Sequence, residues 1–225
     1  MMVRLNLGAM LPRVYLSLSR RAEQIMGMPA ETMHRWTARE VRALIDAAPL
    51  ATPRYELVDG ELLVTPGPSM PHQNAVRQLL LALSPYLDRE SAGVTVCSPS
   101  DVELEAEDLR QPDVYVMTAS EWRRVIREGN PVRELLLAIE ILSPSSGRHD
   151  RVKKRPGYQR HVPEYWIVDL DARLVERWRP GDERPEILTQ RLEWQPAGAR
   201  QSLAIDLPAF FAQARGETGA GVQPR

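Results

Sequence analysis

Residues 135–142, Leu-Leu-Leu-Ala-Ile-Glu-Ile-Leu, form an apolar run broken by a single charge, Glu140. Such a run predicts a strand buried on both faces of a sheet. Either side of it, the hydrophobic spacing changes. Val41, Leu44 and Ile45 fall at helical spacing behind the capping box Thr37-Ala38-Arg39-Glu40. They predict a helix over 37–47, closed by Pro49 and Pro53. Tyr55 to Val64 reads as a β-hairpin turning at Asp59-Gly60. The proline-rich stretch 65–71 is a loop, and Val76, Leu79, Leu80 and Leu83 line one face of a helix over 72–87.

Short strands are expected over 93–97, 101–104 and 113–117, then a helix over 120–128 stopped by Gly129-Asn130-Pro131. After the Glu140 strand come a turn at 143–147 and a helical segment over 149–161. Strands follow at 165–169 and 174–179, with more over 185–207, and Pro208 opens a short terminal helix. This order predicts an α/β (α+β) domain with a mixed sheet flanked by helices. We read 28–215 as that domain and 216–225 as a flexible tail. Residues 1–27 carry Arg4, Arg13, Arg20 and Arg21 against Glu23, without a continuous apolar core. They read as a peripheral extension upstream of a natural start at Met26 or Met28, rather than as a targeting peptide.

Composition narrows the function only a little. The chain of 225 residues is 43% hydrophobic and 26% charged, ordinary for one domain with a full core. Its net charge of −1 does not advertise a nucleic-acid binder, though a local basic stripe would suffice. Cys97 is the only cysteine, which leaves no disulfide framework and no cysteine-based zinc site and suits a reducing cytoplasm. No apolar run approaches the roughly 20 residues of a membrane span. No glycine-rich phosphate loop is present.

A carboxylate inside an apolar strand is costly unless it is paired, protonated or bound to a cation. Asp113, after Pro112, opens the preceding strand, and the two acids converge if those strands are neighbours. Two carboxylates with a backbone carbonyl and waters make a hard oxygen site suited to Mg²⁺ or Mn²⁺. Asp150, Lys154 and Tyr158 are spaced four apart and share one face if their segment is helical. Each residue also has a plainer reading. Asp113 can simply begin a strand, Glu56 can pair with Arg54 on an exposed hairpin, and His72 can be a surface or capping residue. Lys153-Lys154-Arg155 can be a solvated basic run, and Cys97 a buried small hydrophobe.

Taken together, Tyr55 to Glu61, His72-Gln73, Pro112-Asp113, Glu140 to Ser145, Asp150 to Lys154, Tyr158 and Val162 to Asp169 resemble the Uma2 family. The likeness runs from about Thr37 to Phe211 and rests on the order and spacing of the motifs. It implies a PD-(D/E)XK restriction-endonuclease-like fold, endonuclease activity on DNA, a divalent ion and a homodimer. By that resemblance Asp113 and Glu140 are metal ligands, and Glu56 is the early acidic residue beside the site. Leu142 stands where the motif's lysine would be, and Lys154 on the next helix takes its place. Pro156-Gly157 departs from the family pattern. Either the helix starts near Arg155, with Pro156 in its permissive first turn, or Lys154 is displaced. The second case would favour the alternative function: a catalytically weak nuclease fold that binds nucleic acid or a protein partner.

Overall fold

Glu140 lies in the middle of a six-stranded mixed sheet. The computed structural model describes residues 34–47, 53–129, 131–142 and 149–217. The extension over 1–27, Pro49, the 143–147 turn and residues 218–225 lie outside these. The chain divides into Met1–Arg35 and Trp36–Arg225, and the account below concerns the second unit.

Helix α1 (Ala38–Ala47) starts at the predicted capping box. Glu40 N–H donates to Thr37 Oγ1 at 3.3 Å, and Thr37 N–H donates to Glu40 Oε2 at 2.8 Å. The box satisfies two N–H groups that a helix start leaves unpaired. Strands β1 (Arg54–Val58) and β2 (Glu61–Thr65) form a separate hairpin. Its turn residues have φ of 51° at Asp59 and 76° at Gly60, both left-handed as a tight hairpin requires. Ala38 and Val41 pack with Leu57 and Leu109, fixing α1 to the hairpin.

Helix α2 (Met70–Glu90) is capped by Ser69, whose side chain accepts from His72 N–H. It runs beyond the expected 72–87 because Pro71 is acceptable in a first turn. Strands β3 (Val94–Cys97) and β4 (Val114–Met117) pair antiparallel. Cys97 is half-buried rather than fully inside. No strand forms over 101–104, where one was expected. Val102 there makes one antiparallel bridge to Arg110 and one parallel bridge to Val132, and the pairing extends no further. Helix α3 (Ala119–Glu128) is capped by Thr118 and stops at Gly129.

Strand β5 (Leu135–Ile141) pairs antiparallel with β4 and parallel with β6 (Glu164–Asp169). Strands β7 (Leu174–Trp178) and β8 (Glu186–Leu188) complete the sheet in the order β3-β4-β5-β6-β7-β8. Strands β9 (Arg191–Trp194) and β10 (Leu203–Asp206) form a two-stranded sheet, followed by helix α5 (Leu207–Ala214). Side chains alternate across the sheet. Val114, Val116, Leu137, Ile139, Ile141 and Trp166 share one core with Leu79, Leu83 and Phe211. Tyr115, Ala138, Tyr165 and Ile167 share another core with Tyr158 and Val162. Each fully buried apolar side chain contributes about 1.5–3 kcal/mol.

The parallel β5–β6 pair requires a crossover. That crossover ends in a π-helical turn (His149–Lys154) leading into helix α4 (Arg155–His161). The helical segment expected over 149–161 is thus built of two kinds of turn, and Pro156 supplies the reason. Having no N–H, it cannot donate back to the preceding turn. It sits in the first turn of α4, and the Arg151 carbonyl instead accepts from Arg155 Nε at 3.0 Å. Of the two outcomes posed by Pro156, the helix start near Arg155 is the one observed.

Candidate functional site

The expected site residues come from four parts of the chain. Glu56 comes from β1, Asp113 from the residue before β4, Glu140 from β5, and Lys154 from the last position of the π-helical turn. Strand β4 pairs with β5 through Val114 and Ile139. One residue further along, Asp113 and Glu140 come level. The hairpin is brought in by Leu57, whose N–H and carbonyl bond reciprocally with Leu109 at 2.7 and 2.9 Å.

Lys154 is 3% exposed and ties three carboxylates together. Its Nζ lies 2.8 Å from Glu56 Oε2, 3.1 Å from Glu140 Oε1 and 3.2 Å from Asp150 Oδ1. Glu56 is fully buried and also accepts from Gln111 N–H at 2.9 Å. Burial works against the ammonium, but Glu140, Glu56 and Asp150 outweigh it and hold Lys154 well above its ordinary pKa. Stripping water from an ammonium costs several kcal/mol, which only close partners of opposite charge offset. Lys154 is therefore a fixed cation at the centre of the site.

Asp113 is held differently. Its Oδ1 accepts from Arg54 Nη1 at 2.8 Å, and its Oδ2 lies 3.0 Å from His72 Nε2 and accepts from Ile141 N–H at 2.8 Å. Burial would raise its pKa, but the His72 bond and the Arg54 charge overcome that and bring it down to about 2. Glu140 goes the other way. Burial pushes it well above the usual carboxylate range; Lys154 opposes this, and the charges of Asp150, Asp113 and Glu56 add to it. Its Oε1 receives both Lys154 and the Tyr158 hydroxyl, the latter at 3.1 Å. Two acids at one site thus have separated pKa values, the arrangement that lets one stay ionised while the other exchanges a proton.

Three of the plainer readings are corrected. His72 is 5% exposed, neither a surface residue nor a cap donor by its ring, and its Nδ1 has no partner among the described residues. Arg54 pairs with Asp113 and the Gln111 carbonyl, not with Glu56. Lys153 pairs with Glu61 while Lys154 turns inward, so the basic run is split. Sequence reasoning missed Arg54 and His72 as site residues. Arg54 had a readable signal, because it lies two residues before Glu56 on one strand and so shares its face. His72 had none beyond its place at a helix start.

The donor set suits a hard divalent ion. Four buried carboxylates, Glu56, Asp113, Glu140 and Asp150, face two fixed cations, Lys154 and Arg54. One divalent ion would offset the excess. Among the described residues no three His, Cys, Asp or Glu side chains form a ready-made metal centre. The fit is thus to an ion that keeps its waters and takes one or two carboxylates, as Mg²⁺ does.

Comparison with known proteins bears on the same region. The model of the family Uma2, described as "Putative restriction endonuclease", matches residues 40–212. Nothing matches among curated proteins. Among solved structures the chain resembles "a putative nuclease belonging to DUF820 from Anabaena variabilis ATCC 29413". Identity is 19%, the match covers 77% of this chain and 98% of that one, and the TM-score is 0.64. That likeness is one of fold, and it agrees with the mixed sheet and flanking helices expected from sequence. With most of its length matched by the family model, the chain belongs to the Uma2 family.

Proposed function

We propose that the protein is a metal-dependent endonuclease that hydrolyses DNA phosphodiester bonds. The observation that carries this reading is Lys154 Nζ within 3.2 Å of Glu56, Glu140 and Asp150, at the end of the β4–β5 pair where Asp113 stands level with Glu140. Asp113 and Glu140 would hold Mg²⁺ or Mn²⁺. Such an ion supplies polarisation of a phosphoryl oxygen and a bound water of lowered pKa.

The chain's own residues do the remaining work. Arg54, His72 and the Ile141 amide keep Asp113 ionised and fix its orientation. Tyr158 orients Glu140, whose raised pKa equips it to take up or release a proton. Lys154 keeps its charge in a dry site, where it would face the negative charge growing on the phosphate. Glu56 holds Lys154 from the hairpin side. DNA is the proposed partner, in a homodimer whose paired sites cut both strands, acting in the cytoplasm. No helix among the described residues is long and apolar enough to cross a membrane.

Cleavage of supercoiled plasmid and branched DNA tests the reading, with Mg²⁺, Mn²⁺ or chelator present. Ion-dependent nicking that disappears in Glu140→Gln is expected. Cleavage unchanged in that variant, or none across the panel, sinks the proposal. A binding-module reading has one observation in its favour: Lys154 and Arg54 already pair with the site carboxylates. It predicts salt-dependent DNA binding without hydrolysis.

A further inference from the structure

Arg110 is 1% exposed, yet the proposed chemistry does not use it. Its Nε donates to both Asp108 carboxylate oxygens, at 2.9 and 2.8 Å. Its Nη1 donates to the Lys154 carbonyl at 2.6 Å. Its guanidinium carbon lies 4.7 Å from the centre of the Tyr158 ring. Lys154 and Tyr158 are the two residues whose side chains bond to Glu140 Oε1. One arginine thus touches both groups that contact the central carboxylate.

The base of this arginine is fixed on two sides. Arg110 N–H and carbonyl bond reciprocally with Val102, each at 2.9 Å. The residues flanking it are tied to the hairpin, Leu109 through Leu57 and Gln111 N–H through Glu56. On the α4 side Gly157 makes room. A Cβ built there would stand 2.0 Å from Arg110 Nη2 and 2.6 Å from its guanidinium carbon. Any side chain at 157 would force the guanidinium to shift. The Pro156-Gly157 pair is thus a matched fit. Pro156 starts α4 directly after Lys154, and Gly157 admits the arginine that grips the Lys154 carbonyl.

We propose that Arg110 is a positioning residue that sets the place of Lys154 and Tyr158 against Glu140, with Asp108 as its anchor and Gly157 as the gap it requires. The consequence for cleavage rests on the nuclease reading above; the structural part does not. A planar guanidinium can donate to a carboxylate, donate to a carbonyl and stack on a ring at once, which an ammonium cannot. Arg110→Lys therefore does not restore function.

The test uses the full chain and its two lysines. Lys153 and Lys154 are the only ones, so a ¹⁵N-lysine spectrum holds two side-chain signals, one half-exposed and one buried. In Arg110→Ala and in Gly157→Ala the Lys154 signal is expected to move or broaden, while that of Lys153 stays. In both variants kcat for DNA cleavage is expected to fall roughly tenfold to a hundredfold, with KM nearly unchanged, as for a misplaced catalytic group. The double variant is expected to behave like Arg110→Ala alone, because Gly157→Ala acts by displacing Arg110. A folded Arg110→Ala protein with its Lys154 signal in place overturns the proposal, and so do fully additive losses. Gly157→Ala displaces the guanidinium without deleting either Arg110 or Asp108, and remains decisive if Arg110→Ala does not fold. If the wild-type protein cuts nothing, the nuclease reading fails, and the Lys154 signal alone decides the positioning role.

Discussion

The ammonium of Lys154 lies 2.8 Å from a Glu56 carboxylate oxygen, joining the end of the π-helical turn to the hairpin. The contact links parts of the chain that no strand pairing connects. Lys154→Ala would leave Glu56, Glu140 and Asp150 buried without that cation. Removing one partner of a buried ion pair costs about 3–5 kcal/mol. Urea unfolding at neutral pH is expected to show a loss of that size. The loss shrinks in acid, where the stranded carboxylates take up protons. It also shrinks in Lys154→Met/Glu56→Gln, where one of those charges is gone. A deficit below about 1 kcal/mol would place the pair in the class of exposed salt bridges.

Glu140→Gln separates stability from chemistry. The carboxylate sits among Asp113, Asp150 and Glu56, and its pKa is raised mainly by burial. An amide of the same shape removes that repulsion and can still bond with Tyr158. The variant is expected to be as stable as the wild type or up to about 1–2 kcal/mol more stable, as when strained site charges are neutralised. Its nuclease activity is expected to vanish. Thermal unfolding beside a cleavage assay checks both halves. A large loss of stability would mean that Glu140 serves the fold rather than a reaction.

Acid stability depends on Asp113. Its folded pKa of about 2 lies below the ordinary 3.8. A depressed carboxylate pKa gives stability that is present above the unfolded value and is lost as pH falls through the folded one. The shift corresponds to about 2 kcal/mol. Most of it comes from His72 and Arg54. His72→Ala and Arg54→Ala are therefore each expected to move the acid-unfolding midpoint, followed by circular dichroism, to higher pH. A midpoint that neither variant moves would show that other carboxylates control acid unfolding.

The sheet could be read in the chain because its strands carry their own signals. The apolar run at 135–142 predicted a centre strand and became β5 over 135–141, and Asp59-Gly60 predicted the hairpin turn. Glu140 stood out because a charge contradicted its surroundings. Lys154 was placed by motif order alone. What stayed hidden depends on contacts between distant segments. His72 meets Asp113 across 41 positions, and Arg110 meets Lys154 across 44. Nothing local to either residue announces its partner. Val102 shows the opposite failure: the 101–104 segment looks like a strand, but its pairing stops at two single bridges. Gly157 is the instructive case. Read locally, it weakens a helix; in the fold, it is where Arg110 passes.

Metal binding should depend on pH in a direction set by Glu140. Its folded pKa is raised, so its stabilising contribution is full below the usual carboxylate value and is lost as pH rises through the folded value. Ionising Glu140 in the metal-free protein is therefore unfavourable. A divalent ion needs the ionised form and must displace the proton. Mn²⁺ binding is expected to tighten as pH rises, and to release a proton wherever pH lies below the Glu140 value. Asp113, already ionised above about 2, contributes no such release. Calorimetry in two buffers with different ionisation enthalpies measures the protons released per ion. Glu140→Gln is expected to abolish the release and weaken binding together. Mn²⁺ binding that is tight and releases no proton at mildly acidic pH would mean that the ion does not use Glu140.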